Sequence, residues 1–173
     1  MANSLGVGDK APNFDLSSTE DVLLMLRDEV PRRSVLVYFF AAEVDDGVRG
    51  DLSSLAAAAS KLDELNATVF GVSKAKMPEL KELQKELKLP FPLLRDDRDF
   101  AASYGVAEAA EGEQPQPALF GVNQQQVVSW AANPVGDLVE SLVEIQKVFA
   151  RDGAPTANYP KTVINTLVDR WVN

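Results

Sequence analysis

Apolar residues occur along the chain in short continuous runs that predict strands. The clearest run is RSVLVYFFAA (33–42), whose β-branched and aromatic residues are typical of a strand buried on both faces. A second buried strand is predicted for ATVFGVS (67–73), and a short strand or extended segment for FPLLRD (91–96). ALFGVNQQQVVSWAA (118–132) predicts two more strands, because a polar turn divides it into a hairpin.

Other segments place apolar residues three or four positions apart, which predicts amphipathic helices. The longest runs from about 46 to 65, with Asp45 and Asp46 in N-cap and first-turn positions. A helix over 17–30 is predicted from the N-cap candidates Ser18 and Thr19 and the apolar run that follows them. The remaining helices are predicted over 77–89, 98–106, 136–150 and 161–172.

The order of these elements predicts the fold class. A short edge strand over 11–18 comes first, and the strand–helix–strand order over 33–73 requires a right-handed crossover with parallel pairing. The hairpin adds antiparallel strands, and the helix after it packs back on the sheet. We therefore predict an α/β protein of thioredoxin-like architecture, with a mixed central sheet flanked by helices and a C-terminal helical extension.

The chain is expected to form one domain over residues 1–152, which is long enough to bury its own core. Residues 153–173 are predicted to be a linker and a C-terminal helix with an apolar stripe that ends at Trp171. Because such a stripe is not left in water, we expect this helix to pack either on the domain or on a second subunit.

Composition excludes several classes of function. The 173 residues carry a formal net charge of -9, which argues against binding to nucleic acid or to anionic membranes. No apolar run has the length of a membrane span and no signal peptide is visible, so a cytoplasmic location is expected. The chain has no cysteine and no histidine, which removes thiol nucleophiles, thiolate metal sites and the commonest base near neutral pH.

Four segments in order carry a resemblance to one family. They are GDKAPNFDL (8–16), SVLVYFF (34–40), LPFPLLRDDRDFAASYGV (89–106) and QPALFGVN (116–123). Together they resemble the alkyl hydroperoxide reductase/thiol-specific antioxidant family, the peroxiredoxins, and most of all its bacterioferritin-comigratory group. The resemblance spans roughly residues 7 to 150 and implies the peroxiredoxin branch of the thioredoxin-like fold. It also implies a homodimer, because members commonly dimerise.

The same resemblance places the family's site, Pro-x-x-x-Thr-x-x-Cys, at the start of the helix after the first buried strand. Ala41 then stands at the proline, Asp45 at the threonine and Val48 at the peroxidatic cysteine. Ser129 stands where the family contributes an arginine from the later hairpin. Peroxide cleavage needs a thiolate, which neither Val48 nor any other residue of the chain can supply. No catalytic residue of that chemistry and no cofactor are therefore expected.

A cleft at this helix start remains the candidate site. Its candidate residues are Phe40, Glu43, Asp45, Gly47, Val48, Arg49, Asp51 and Pro117. The Gln116–Pro117 bond is predicted to be cis, since thioredoxin-like folds place a cis-proline before the corresponding strand. The acids of this cleft are interpreted as helix caps in preference to ligands of a divalent cation.

The favoured function is that of a non-catalytic pseudoenzyme, which acts in binding or assembly with a protein, a small molecule or a second copy. A general description of the family would nevertheless be antioxidant and oxidoreductase. Two alternatives stay open. One is an enzyme of another class that uses the acidic loop 43–51, and the other is a purely structural subunit.

Overall fold

A computed structural model describes residues 5–106 and 116–152 of the chain. The strands are β1 (Asp15–Ser17), β2 (Leu23–Met25), β3 (Ser34–Phe40), β4 (Ala67–Ser73), β5 (Leu93–Arg95), β6 (Ala118–Val122) and β7 (Val128–Ala132). The helices are α1 (Leu26–Glu29), α2 (Asp46–Glu64), α3 (Met77–Leu87), α4 (Phe100–Ser103) and α5 (Leu138–Asp152).

Five of these strands form one mixed sheet in the order β5-β4-β3-β6-β7. The central strand β3 pairs parallel with β4, starting at Ser34 opposite Ala67, and antiparallel with β6. All seven residues of β3 are buried, as its continuous apolar sequence predicts. The parallel crossover, the hairpin and the thioredoxin-like fold class are confirmed.

Alternate residues of β3 enter two separate core layers, one on each face of the sheet. Leu36, Tyr38 and Phe40 pack in the layer that holds the buried sides of α2, α3 and α5. The residues between them, such as Val37 and Phe39, pack in the other layer, under the N-terminal segment and α4. The sheet therefore positions the start of α2 on one face and the segments before β3 on the other.

The helix predicted over 17–30 is wrong for most of its length. Residues 23–25 form β2, which pairs antiparallel with β1 in a separate two-stranded sheet, and only Leu26–Glu29 is helical. Ser18 closes a tight turn instead of capping a helix, because its hydroxyl donates to the carbonyl oxygen of Val22 at 2.8 Å. Asp21 in this turn has a positive φ of 61°, which is incompatible with a helix.

The predicted helix over 161–172 lies outside the described residues, so its packing stays a prediction. The other long helices begin and end within about two residues of their predicted bounds. In the described part of the chain, no helix is both long and apolar enough to cross a membrane.

Candidate functional site

The candidate site lies where β3 ends and α2 begins. Asp45 is the N-cap residue of α2, as predicted, and its Oδ1 accepts a hydrogen bond from the backbone N–H of Val48 at 2.8 Å. The carboxylate thus satisfies one of the free N–H groups at the helix start and complements the positive end of the helix dipole. The N–H of Val48 points to this cap, and a ligand would have to compete with Asp45 for it.

Val48 occupies the first turn of α2 and is only 4% exposed. Its side chain belongs to the core layer that contains Leu52, Leu55 and Tyr38. At this position the chain therefore places a buried hydrocarbon that packs with the core and carries no group able to donate, accept or attack.

A buried tyrosine that sequence reasoning missed lies under the same helix turn. The hydroxyl of Tyr38 donates a hydrogen bond to Oδ2 of Asp51 at 2.8 Å, and the tyrosine is fully buried. The available signal was the strand period: Tyr38 lies two residues before Phe40, and therefore on the same face of β3, toward α2.

Both members of this pair have displaced pKa values. Burial raises the pKa of Tyr38, and the hydrogen bond and negative charge of Asp51 raise it further, so the phenol stays protonated. Partial burial also raises the pKa of Asp51, although the hydrogen bond from Tyr38 opposes that shift. The negative charges of Asp45 and Asp137 add to the rise in the pKa of Asp51.

Asp137 brings the start of a second helix to the site. Its Oδ1 accepts from the backbone N–H of Glu140 at 3.1 Å, at the beginning of α5. The starts of α2 and α5 are thus each capped by a carboxylate, and Asp51 lies within electrostatic reach of both caps. The local field disfavours an additional negative charge.

A cleft of about 240 Å³ opens beside these residues. It is lined by Ala41, Glu43, Asp45, Gly47, Val48, Asp51, Gln116, Pro117, Val135 and Gly136. The structure thus brings together most of the candidate cleft residues and adds three that sequence reasoning missed, from the segments before β6 and before α5. No lysine or arginine of the described residues lines the cleft.

Two candidate residues, Phe40 and Arg49, do not line this cleft. Phe40 is 7% exposed and its ring stacks on that of Tyr38, with centroids 5.7 Å apart, so it belongs to the core. The Arg49 guanidinium donates to Glu86 of α3 at 2.9 Å and lines a different pocket, between α2 and α3. An enzyme that used the acidic loop would need Arg49 beside Asp45 and Asp51, but its guanidinium is paired with Glu86 of α3 instead.

Ser129 also lies away from the cleft. It is the extra residue of an irregularity in β7, between Val128, which pairs with Val122, and Trp130, which pairs with Gly121. Those partners lie beside the first residues of β3, whereas the cleft follows its last residue. Ser129 therefore does not line the cleft, and its correspondence to the family's arginine stays a prediction, because a hairpin with an inserted residue does not preserve linear spacing.

The predicted cis bond is at a different proline. Among the described residues the cis peptide bond is Asn133–Pro134, and Gln116–Pro117 is not cis. The small intrinsic preference of prolyl bonds for trans could not distinguish the two positions from sequence. Pro117 still lines the cleft, and its carbonyl oxygen accepts from the backbone N–H of Val135 at 2.8 Å.

The acids of the loop do not converge on a common point. In the part of the chain that the structure describes, no group of three or more aspartates and glutamates is arranged to hold a metal ion. Glu43 and Asp45 are exposed, whereas Asp51 is half-buried and turned to Tyr38.

Comparison with known sequences places these features in a family. The sequence profile of the AhpC/TSA family matches residues 7–131. The chain belongs to the AhpC/TSA family. A peroxiredoxin bcp of Coxiella burnetii is 31% identical over 104 residues, which cover 60% of this chain and 68% of that protein. Peroxiredoxin Q of Oryza sativa subsp. japonica is 28% identical over 134 residues, or 77% of this chain and 61% of that protein.

Solved structures of AhpC/TSA proteins share the fold. Peroxidoxin BcpB from Mycobacterium tuberculosis superposes with a TM-score of 0.77 at 17% identity, over 85% of this chain and 97% of that one. Xylella fastidiosa PrxQ superposes with a TM-score of 0.74 at 17% identity, over 84% of this chain and 98% of that one. At these identities the likeness shows only the fold, and the chemistry of this chain has to be inferred from its own residues.

Proposed function

We propose that this AhpC/TSA protein is a non-catalytic member of its family, a pseudoenzyme that uses the peroxiredoxin scaffold for binding or assembly. The observation that carries the proposal is Val48, a buried valine in the first turn of α2, where the family resemblance implies the peroxidatic cysteine. No cysteine elsewhere in the chain can replace it.

The surroundings of Val48 support the same conclusion. Thiol peroxidases depend on a thiolate stabilised by positive charge and by donors to the developing anion. Here the cleft is lined by Glu43, Asp45 and Asp51, and the N–H of Val48 is already bonded to Asp45. A thiolate or peroxide anion at this position would meet negative charge.

The cleft is proposed to retain a binding role for small neutral or positively charged groups. Its walls are apolar at Ala41, Val48 and Pro117, while its charged atoms are all carboxylate oxygens. Coulomb repulsion disfavours anions there and favours amines or the cationic side chain of a partner. Homodimerisation and a cytoplasmic location are further parts of the proposal and rest on the resemblance and composition alone.

The deciding experiment is a peroxide-reduction assay on the pure full-length protein with dithiothreitol as the thiol donor. We expect consumption of hydrogen peroxide and of an alkyl hydroperoxide at the rate of buffer alone. A rate that is proportional to protein concentration would overturn the proposal.

A matched pair of variants tests the reason for the inactivity. Val48→Cys introduces the thiol, and Val48→Cys/Asp45→Thr also removes the carboxylate that caps the same turn. We expect the double variant to react faster with peroxide than the single variant, because the thiolate loses a repulsive neighbour. Equal rates would show that Asp45 does not disfavour the thiolate.

Binding and assembly are tested separately on the unmodified protein. A thermal-shift screen of small amines, with carboxylates of matched size as controls, should raise the melting temperature only for the amines. Light scattering after size exclusion should give the mass of a dimer. A monomer, or stabilisation by the carboxylates alone, would contradict these parts of the proposal.

A further inference from the structure

Helix α5 has two exposed valines on one side. Val139 is 62% exposed and Val143 is 52% exposed, and their spacing of four residues places them one turn apart. The other large apolar side chains that are exposed among the described residues are Val7, Val22 and Leu23, all in the N-terminal segment.

The valines lie on the flank of α5 that faces α2. The opposite flank faces β7, because Glu144 accepts a hydrogen bond from the Trp130 indole N–H at 3.3 Å. At about 100° per residue, Val139 and Val143 lie on the far side of the buried stripe from Glu144. Helices α2 and α5 contact each other, so the valines border the groove between them.

The α2 side of this groove carries a small residue. Ala56 and Ser60 line a pocket on the flank of α2 that is next to Phe91. Ala58 is half-buried, and the helical rotation places it on the opposite flank, toward α5. We define Val139, Val143 and Ala58 as the α2–α5 face.

The chain itself continues from the end of α5 with a segment suited to this face. After Asp152 come the short sequence GAPTANYP (153–160) and then KTVINTLVDRWVN (161–173). The second part has apolar residues at helical spacing: Val163, Ile164, Leu167, Val168 and Trp171. Connections of two to eight residues between helices commonly join antiparallel neighbours.

The length of the helix predicted over 161–172 also matches that of α5. A helix over 161–172 would be about 18 Å long, and α5 rises about 20 Å from Val139 to Asp152. A segment that turns back after residue 160 therefore reaches both exposed valines without crossing the domain.

We propose that residues 161–172 fold back antiparallel along α5 of the same chain and cover the α2–α5 face. The juxtaposition buries the Trp171 stripe and both valines together, which removes two apolar surfaces from water. Docking on the same chain is favoured over docking on a second copy, because a short tether gives an effective concentration of about millimolar.

The test uses tryptophan fluorescence of the full chain. The protein has two tryptophans, so Trp130→Phe leaves Trp171 as the only reporter. We expect blue-shifted emission and protection from acrylamide, compared with a peptide of residues 153–173, at all protein concentrations. Val139→Glu/Val143→Glu in this background should shift the emission to the red and raise the quenching constant to that of the peptide.

A matched control is Val22→Glu, at a side chain that is 54% exposed and distant in sequence from α5. It should leave the Trp171 emission unchanged, while circular dichroism verifies that all variants keep their helix content. Three results would overturn the proposal: peptide-like quenching in the parent, protection that depends on protein concentration, or protection that survives the double substitution.

Discussion

The segments that resemble the family and the loop that departs from it lie in different physical environments. Each of the resembling segments contributes buried residues to the sheet face away from α2, where Phe14, Leu94 and Tyr104 pack together. The departing loop lies at the start of α2, where Glu43 and Asp45 are exposed. The sequence therefore resembles the family most clearly where its residues are needed for packing.

The buried segments have structural roles that need no chemistry. The hydroxyl of Tyr104 donates to the carbonyl oxygen of Pro12 at 2.6 Å, which ties the YGV and APNF segments together. The carboxylate of Asp96 accepts from the backbone N–H groups of Phe100 and Ala101 at 2.8 and 2.9 Å. These bonds explain why the segments can persist in a protein without a thiol.

The loop at the start of α2 has few such constraints. Asp45 caps the helix, a role that several polar residues fill equally well. Val48 is buried in the core and Val44 packs against the same core layer, and a valine at position 48 satisfies the packing at least as well as a more polar residue. The fold can therefore tolerate a valine in place of a cysteine at this position.

The largest loss in the free energy of unfolding is expected for Tyr104→Ala, in one of the buried segments that resemble the family. The ring of Tyr104 lies 5.1 Å from that of Phe39 and 5.3 Å from that of Phe120, and it is fully buried. Removing a buried aromatic ring costs about 3–5 kcal/mol, so the free energy of unfolding in urea should fall by this amount. Tyr104→Phe keeps the ring and should lose about 1 kcal/mol. Equal losses would assign the stability to the hydroxyl.

Most of this architecture could be predicted from sequence, because continuous apolar runs and helical periods report burial directly. The bounds of β4 agree with the predicted strand, and the capping role of Asp45 followed from its position before an apolar period. These are local properties, determined by the residues themselves and their nearest neighbours.

The errors have a different physical origin. The helix predicted over 17–30 was lost to pairing between β1 and β2, and a sequence pattern does not reveal its partner strand. The Arg49 guanidinium points to α3 because it pairs with Glu86. The position of Ser129 is determined by the register of the hairpin. Contacts over such sequence distances are decided by the tertiary fold.

The second prediction concerns Gly71, in the core layer beneath the site. A Cβ atom at this position would lie 2.5 Å from Cδ2 of Leu93, which is buried, and 3.3 Å from the ring of Phe40. Gly71→Ala should therefore cost about 1–3 kcal/mol of unfolding free energy by overpacking. Gly50→Ala is the control, since nothing lies within 4 Å of its added Cβ. In the interior of α2 it should stabilise by about 0.5–1 kcal/mol.

The cap at the start of α2 is expected to contribute little to stability. Asp45→Ala removes the acceptor for the N–H of Val48, so the unfolding free energy should fall by about 1 kcal/mol. Asp45→Ser should keep nearly all of the stability, because serine also caps helices. A serine variant as unstable as the alanine variant would mean that the negative charge, and not the cap hydrogen bond, is what stabilises α2.

The smallest change in the free energy of unfolding is expected for Asp51→Asn, and this change depends on pH. Partial burial, with the charges of Asp45 and Asp137, raises the pKa of Asp51 above its usual value. A raised pKa in the folded state means that the carboxyl favours folding when it is protonated. This contribution is complete below the ordinary aspartate pKa of about 4 and is lost as the pH rises through the folded-state value.

Asparagine cannot ionise but can still accept the hydrogen bond from Tyr38, so the variant should gain stability relative to the parent as the pH rises from about 4 to about 7. Urea unfolding across this range measures the difference. Tyr38→Phe sharpens the test, because it removes the hydrogen bond that lowers the pKa of Asp51 and should make the loss of stability with pH larger. If the difference between parent and Asp51→Asn is constant with pH, Asp51 ionises equally easily in the folded and unfolded chain. A rising difference would instead mark Asp51 as a residue whose charge opposes folding, in contrast to the buried Tyr104, whose packing and hydrogen bond both favour it.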